Sequence, residues 1–256
     1  MKLVIFITLA TLLLSGKPSN SQDIETVFPL KWKVKTGLST YRSNIIFDNN
    51  KIYIGSNGVD RNKNNDSLDG VFIIQAESGK ILHHIQAPIL GDNDVNGVLV
   101  NSGKLYFGSD NYHFYCYTEE GKKIWEYATE YDVESCPVLV NISNDETPDI
   151  VFTVEGKGLV ALDGKTGREL WKFHTDFSRG FNGTPAVYDI NQDGQEDLLI
   201  GGEGIPSTNE TESWKRVSYG DHFYAINGKD GSVLWKYEVG SKIHSSPLVT
   251  RHNDEI

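Results

Sequence analysis

The sequence lacks several features that are typical of large classes of protein. It has two cysteines, Cys116 and Cys136, which form neither a CxxC motif nor an adjacent pair. Its long apolar run, from Leu3 to Leu14, is too short to span a bilayer, and no transmembrane run follows it. Basic residues number 24 against 35 acidic ones, and the resulting net charge of -11 argues against nucleic acid or an anionic membrane as a partner.

Motifs of catalysis are also absent from the sequence. There is no Gly-x-Ser-x-Gly nucleophile elbow, no His-Glu-x-x-His zinc motif and no phosphate-binding Gly-x-x-x-x-Gly-Lys-Ser/Thr loop. The seven histidines are scattered without the spacing of metal ligands. We therefore identify no catalytic residues, and the sequence favours a role other than that of an enzyme.

The N-terminus has the pattern of an export signal. A lysine precedes the apolar run, and small residues at Ser19 and Ser21 suit cleavage after Ser21. We expect a signal peptide over residues 1–21 and one domain over residues 22–256. The mature protein would then be secreted, periplasmic or held at the cell surface.

A sequence motif that recurs along the chain predicts the fold. It consists of an aliphatic and aromatic run, a glycine turn and then an aromatic residue. That last residue is His84, Trp125, Trp171 or Trp235 in the four copies, and we use it to align them. Steps of 41, 46 and 64 residues separate these positions, and each step holds several short β-type runs between Gly, Asn and Asp. This spacing is typical of a four-stranded propeller blade. We predict an all-β propeller with about four full blades.

The strands of these blades can be read from the sequence. In the best copy, strands A to D fall at 184–188, 197–202, 222–226 and 232–237, and the preceding copy has strands A and B at 136–140 and 149–152. Turn glycines between strands C and D should take a positive φ, and the aromatic residue that follows should wedge between blades. Residues 246–256 align with a further strand A and its turn, and residues 30–36 have the pattern of a strand D. We therefore expect a ring that is incomplete or truncated at the C-terminus.

The repeat resembles a known family. Ala161-Leu162-Asp163, Thr166-Gly167 and Trp171 match the pattern of the PQQ-like, or quinoprotein-like, propeller repeat, and the resemblance covers about residues 30–256. It implies the fold more than a function, because that repeat serves quinone-cofactor dehydrogenases, outer-membrane assembly lipoproteins and secreted proteins of other kinds. The chain is short for such a dehydrogenase and lacks its adjacent cysteines, so we do not expect PQQ as a cofactor.

A calcium-type loop lies between two predicted strands. Residues 189–197 read Asp-Ile-Asn-Gln-Asp-Gly-Gln-Glu-Asp, with a glycine at the sixth position and the closing carboxylate at the ninth. The loop resembles the FG-GAP calcium loops of integrin-like propellers. The resemblance implies calcium, and the alternative is an Asx-rich turn without metal. The expected ligands are Asp189, Asn191, Asp193, the Gln195 carbonyl and Asp197.

Two further stretches resemble this loop less closely. A copy at the same blade position has lost the turn glycine and two strong donors, so we interpret it as a structural turn with weaker or absent binding. A weaker site there would use Asn141, Ser143, Asp145, Thr147 and Asp149. Residues 92–97 begin like an EF-hand, but Gly103 stands where the closing glutamate belongs. We interpret this third stretch as a solvated turn.

The cysteines lie in neighbouring blades of this alignment. Cys116 falls in a strand C and Cys136 in the strand A of the next blade. An exported protein can form a disulfide, so the two are a candidate pair. The alternative is two small buried side chains, because alanine, threonine or serine stands at these positions in other blades.

Long insertions between strands B and C indicate the binding face. They occupy residues 57–69 and 203–221 and rise from one face of the propeller, opposite the calcium loops. The second insertion carries the leading contact candidates, Trp214, Arg216 and Tyr219.

We interpret the protein as a secreted, non-enzymatic binding or scaffold propeller with structural calcium, whose ligand is a protein or a glycan. One alternative is a fragment of a quinone-cofactor (PQQ) dehydrogenase. The other is an envelope assembly factor similar to the outer-membrane lipoprotein, although no cysteine stands where a lipid anchor would need one.

Overall fold

The computed structural model describes residues 29–40, 42–59, 66–87, 91–175, 180–202, 205–206, 218–219, 222–239 and 242–250. Within these residues the chain forms strands and no helix. None of the described segments is therefore a helix of the length and hydrophobicity that crossing a bilayer requires. The chain divides into two compact units, residues 1–34 and 35–256, and the strands lie in the second.

Four antiparallel sheets of four strands follow one another along the chain, and we call them blades 1 to 4 and their strands A to D. Blade 1 comprises β1 (Ile45–Asp48), β2 (Lys51–Asn57), β3 (Asp69–Gln75) and β4 (Ile81–Ile85). Blade 2 comprises β5 (Val98–Asn101), β6 (Lys104–Ser109), β7 (His113–Thr118) and β8 (Lys123–Ala128). Blade 3 comprises β9 (Val138–Val140), β10 (Asp149–Val154), β11 (Gly158–Leu162) and β12 (Glu169–His174). Blade 4 comprises β13 (Ala186–Tyr188), β14 (Asp197–Gly201), β17 (His222–Ile226) and β18 (Val233–Glu238).

These bounds confirm the predicted four-stranded blades. A small two-stranded sheet, β15 (Ile205–Pro206) and β16 (Ser218–Tyr219), lies between strands B and C of blade 4. The A strands of blades 3 and 4 begin two residues later than the sequence predicts. Each starts just after a proline, Pro137 or Pro185, which has no N–H to donate to a ladder.

The hydrophobic core lies between the blades as three layers of side chains. The layer between blades 1 and 2 is built around Tyr53, Phe107 and Tyr115, all fully buried. Equivalent layers join blade 2 to blade 3 and blade 3 to blade 4. Because blades 2 and 3 each lie between two of these layers, their C strands are buried on both faces and read as nearly continuous apolar runs.

A bulge in the pairing of strands C and D fixes the register of the repeated aromatic residue in every blade. In each blade this residue stands four positions after the turn glycine, and it is a tryptophan in blades 2 to 4. In blade 1 the position belongs to His83, which pairs with Ile73 as the tryptophans pair with their partners. The assignment of His84 to this register is therefore wrong by one residue, because two adjacent histidines made the registers look alike. His84 stacks on Phe72 instead, with ring centroids 4.0 Å apart.

Trp125 and Trp171 wedge between blades, as predicted. The Trp171 indole N–H donates to the Gly228 carbonyl of blade 4 at 2.8 Å. The ring also lies on Gly231, where an added Cβ would come within 2.7 Å of the indole. Gly231 has a φ of 74°, so the turn needs glycine for its backbone as well as for the contact. The same two contacts join blade 2 to blade 3 through Trp125, Gly164 and Gly167.

The two segments that the sequence assigned to the ends of the ring are not strands in the described residues. Residues 30–36 form no ladder, and Leu38 instead exchanges backbone hydrogen bonds with Asn57 and Gly58. Residues 246–250 are also irregular, yet they hold the expected place beside blade 4. Ser246 Oγ accepts the Thr184 N–H at 2.9 Å, as Thr184 Oγ1 accepts the Cys136 N–H at 3.2 Å one blade earlier.

The candidate disulfide is not formed, and both cysteines are free thiols. Cys116 is buried in the layer between blades 2 and 3 and contacts Tyr106. Cys136 lies at the start of blade 3, where its Sγ is 3.8 Å from the Arg42 carbonyl oxygen. Burial raises the pKa of the Cys116 thiol to about 12, so this sulfur is a packing group rather than a nucleophile.

We predict that replacing Trp171 with alanine destabilises the protein by about 3–5 kcal/mol, because it removes a buried ring and leaves the Gly228 carbonyl without its donor. Trp235 is the matched control, since it holds the same register in blade 4 but is 42% exposed. Trp235→Ala should cost roughly 1 kcal/mol or less. Urea denaturation measures both variants. Equal losses in the free energy of unfolding would contradict the stabilising role of Trp171 between the blades.

Candidate functional site

The predicted calcium loop forms a tight turn between strands A and B of blade 4. Asp189 accepts hydrogen bonds from the backbone N–H groups of Asp193 at 3.1 Å and Gly194 at 3.0 Å. Asn191 Oδ1 accepts the same Asp193 N–H at 2.9 Å, and Asp193 Oδ1 accepts the Gln195 N–H at 2.8 Å. The loop therefore has the hydrogen bonds of an Asx turn, and its carboxylates retain further lone pairs.

Asp197 holds the loop in place through hydrogen bonds that could not be predicted from the sequence. It is fully buried, and its two oxygens accept backbone N–H groups at 3.0–3.4 Å from Ile190, Asn191 and Gly228. It thus ties the A–B loop of blade 4 to the glycine whose carbonyl receives Trp171. Asp149 does the same in blade 3 through Ile142, Ser143 and Gly164.

The weaker copy of the loop is held together by its own hydrogen bonds. Asp145 accepts the Thr147 N–H at 2.6 Å, and the Ser143 hydroxyl donates to Asp149 at 3.2 Å. The Asn141 N–H donates to Glu196 of the next blade at 3.1 Å. The carboxylates that converge within 4.8 Å of one another, among the residues described, lie elsewhere in the protein.

The predicted contact residues Trp214 and Arg216 lie outside the described residues, as does the side chain of Tyr219, whose backbone belongs to β16. The described part of the same face carries other exposed aromatic groups. Tyr112 and Tyr131 are half-exposed, with ring centroids 6.4 Å apart. Lys157 Nζ stands 4.9 Å from the centre of the Tyr131 ring. We call these three residues the tyrosine rim.

Beside the tyrosine rim lie two acidic clusters that sequence reasoning missed. The first, between blades 1 and 2, comprises Asp69, Asp92 and Asp94, and the second, between blades 2 and 3, comprises Asp110, Asp132 and Glu134. In each cluster, one member lies at the B–C connection of a blade and two lie on the segment that leads to the next blade.

The first cluster contradicts the interpretation of residues 92–97 as a solvated turn. Asn93, Asp94 and Asn96 are buried, because the segment folds back onto the end of strand B. The Val95 N–H donates to the Ser56 carbonyl at 3.1 Å, and an added Cβ on Gly55 would collide with the Val95 carbonyl oxygen at 2.4 Å.

Burial and mutual repulsion disturb the titration of both clusters. Desolvation raises the pKa of Asp94 to about 7, and the nearby Asp92 and Asp69 carboxylates add to the shift. Desolvation raises the pKa of Asp110 to about 8, with further repulsion from the carboxylates of Asp132, Asp94, Asp92 and Glu155. Arg42 compensates part of the charge of the second cluster, because it forms an ion pair with Glu134.

A signal for these clusters is present in the aligned blades. Asp94-Val95 and Asp132-Val133 stand at equivalent places, and both valines are fully buried against a glycine at the end of a strand B. An acidic residue next to a repeated buried valine therefore marks a carboxylate drawn under the neighbouring blade. The carboxylate is buried only because one blade packs on the next, and the sequence alone does not show that packing.

Comparisons with known proteins agree with this architecture. A family model described as outer membrane protein assembly factor BamB matches residues 70–202. The 1-butanol dehydrogenase (quinone) of Thauera butanivorans is 30% identical over 155 residues, which is 53% of this chain and 25% of that protein.

Two solved structures share the fold. BamB from Moraxella catarrhalis aligns with a TM-score of 0.55 and 14% identity over 84% of this chain and 58% of its own. The quinohemoprotein alcohol dehydrogenase from Comamonas testosteroni aligns with a TM-score of 0.57 and 14% identity over 80% of this chain and 36% of its own. These likenesses confirm the β-propeller and the PQQ-like repeat. The chain spans less than two thirds of each of these three proteins.

We predict that, with divalent cations removed, the protein loses stability as the pH rises from about 4 to about 8. Below about pH 4 the folded and unfolded chains both hold the protons of Asp94 and Asp110. Above it the unfolded chain releases protons that the folded chain keeps until about pH 7 and 8, so the free energy of unfolding falls.

Urea denaturation in chelator across this range measures the effect. Asp110→Asn should reduce the slope, because it removes one of the carboxyl groups whose pKa is raised in the folded chain. A free energy of unfolding that rises steadily toward pH 8 would contradict the prediction.

Proposed function

The chain belongs to the outer membrane protein assembly factor BamB family, and we propose that it is a non-enzymatic propeller that binds a protein partner outside the cytoplasm. The match over residues 70–202 carries the proposal, since it covers the C and D strands of blade 1, blades 2 and 3, and the start of blade 4. The family favours a protein over a glycan as the ligand, and an export signal over residues 1–21 would deliver the chain to the envelope.

The partner would contact the face that carries the B–C connections. Val59, Tyr112 and Tyr131 expose 57%, 50% and 49% of their surfaces there. Aromatic residues with a neighbouring cation are typical of binding surfaces, because they bury a large area and keep a polar group at the rim. Lys157 is such a cation, and its Nζ also pairs with Glu130 at 2.9 Å.

We predict that a photo-crosslinking amino acid placed at Tyr112 or Tyr131 captures an envelope protein in the source cells. The matched control is the same amino acid at Lys165, which is exposed on the C–D turn at the opposite face of blade 3. Products identified by mass spectrometry should be specific to the first two positions. Capture from Lys165 alone would place the contact on the other face, and capture from none of the three would contradict a protein partner.

Structural calcium in the loop 189–197 is part of the same proposal. Asp189 and Asp193 lie on the exposed turn, where each carboxylate can add a metal to the hydrogen bonds that it already accepts. The cation would brace the A–B hairpin above the buried Asp197.

We predict that calcium raises the melting temperature of the chelator-treated protein and that Asp193→Ala removes the part of this rise that the loop supplies. The exposed Asp145 of blade 3 offers a control, since its loop lacks the turn glycine and two of the strong donors. Asp145→Ala should leave the calcium response unchanged. Identical calcium responses of the wild type and Asp193→Ala would refute calcium in the loop.

A second candidate function is quinone-dependent oxidation, which the similarity to the 1-butanol dehydrogenase favours. The described part of the B–C face does not fit the cofactor. PQQ is a tricarboxylate, whereas this face presents two clusters of three carboxylates, and two of its cations, Arg42 and Lys157, are already paired with acids. Repulsion would oppose binding of the quinone there. Spectroscopic titration with PQQ and calcium separates the two functions.

A further inference from the structure

The first acidic cluster places three carboxylates close together with little access to water. Oxygens of Asp69, Asp92 and Asp94 lie within 4.8 Å of one another. Asp69 is 1% exposed and Asp94 is 6% exposed. Within the residues that the structure describes, the ion pairs include neither of these two buried aspartates. Buried like charges in this arrangement repel one another strongly unless a cation or bound protons compensate them.

An independent observation at the same place points to a ligand. Asn57, at the end of strand B in blade 1, is 4% exposed and donates its amide N–H to Asp94 Oδ2 at 3.1 Å. Its carbonyl oxygen, Oδ1, is buried and has no hydrogen-bond donor among the residues that the structure describes. Asp69 Oδ2 accepts the Asp66 N–H at 2.7 Å, while Asp69 Oδ1 likewise has no donor in the described part of the chain. Two buried acceptor oxygens beside a carboxylate cluster need an electropositive partner.

We propose that Asp69, Asp92, Asp94 and the Asn57 Oδ1 atom bind a divalent cation, and that this cation is calcium. All four residues offer oxygen, which hard cations prefer, and none offers the nitrogen or sulfur that zinc and copper favour. Calcium accepts six to eight oxygens in an irregular arrangement and suits side chains drawn from two separate segments, whereas magnesium demands a regular octahedron.

The neighbouring cluster shows why the first one needs an added ion. There, Arg42 supplies a positive charge to Glu134, so the protein compensates part of the charge itself. Asn57 and Asp69 border the B–C connection of blade 1, while Asp92 and Asp94 belong to the segment that leads into blade 2. The Asp110 N–H of blade 2 donates to the Asp94 carbonyl at 3.2 Å. Calcium would therefore cross-link blade 1 to blade 2, on the face opposite the 189–197 loop.

The test uses the full chain carrying Asp193→Ala, so that calcium in the loop cannot contribute. Isothermal titration of the chelator-treated protein with CaCl₂ should show one site per chain, with weaker binding of MgCl₂. Adding Asp69→Asn or Asp94→Asn should abolish this site or weaken it at least tenfold. The matched control is Glu77→Gln, which removes an exposed charge from the opposite end of blade 1 and should leave the affinity unchanged.

Thermal denaturation distinguishes loss of the site from loss of the fold. In chelator, Asp94→Asn should melt at the same temperature as its parent or higher, because one repelling charge is gone. In calcium, the parent should melt at a higher temperature than the variant. Absence of calcium binding to the folded parent would overturn the proposal, as would equal affinity in the parent and both asparagine variants. The cross-linking experiment at Tyr112 and Tyr131 tests the protein partner and does not depend on this cation site.

Discussion

The junction of blades 2 and 3 and the junction of blades 3 and 4 each depend on one tryptophan indole that donates to a glycine carbonyl of the following blade. The N–H of that same glycine donates to a buried aspartate at the start of strand B, Asp197 in blade 4 and Asp149 in blade 3. Side chain, turn and loop are thus joined in one network that crosses the blade boundary. The network does not need a fixed spacing along the chain, since Trp125 precedes Gly164 by 39 residues and Trp171 precedes Gly228 by 57. The insertion in blade 4 therefore leaves the contact intact.

The buried carboxylates in the described part of the chain fall into two groups that differ in their partners. Asp149 and Asp197 accept several backbone N–H groups each, and this compensates for their loss of water. Asp69 and Asp94 face other carboxylates instead, and desolvation raises the pKa of both. The first group stabilises the fold by itself. The second group makes the junction of blades 1 and 2 depend on protons or on a bound cation.

Much of the fold could be predicted from the sequence, because the strands and turns of a blade are local features. The four blades and the wedge position of Trp125 and Trp171 follow from propensity, turn glycines and the repeat. The acidic clusters could not be predicted in the same way. Residues 92–97 have the composition of a solvated turn, and they are buried only because blade 1 packs against the segment that leads into blade 2. Polar composition indicates exposure on average, and tertiary packing overrides it here.

The acidic clusters and the tyrosine rim belong to the same short segments. Asp110 and Tyr112 lie on one B–C turn, and Tyr131 immediately precedes Asp132 on the connection to blade 3. Backbone hydrogen bonds continue the link, since Asp110 N–H donates to the Asp94 carbonyl and Thr129 N–H donates to the Tyr112 carbonyl at 2.8 Å. Whatever compensates the buried charges therefore also fixes the loops that present the rings. Because linked binding is reciprocal, a partner that contacts this rim would in turn favour the compensated state of the clusters.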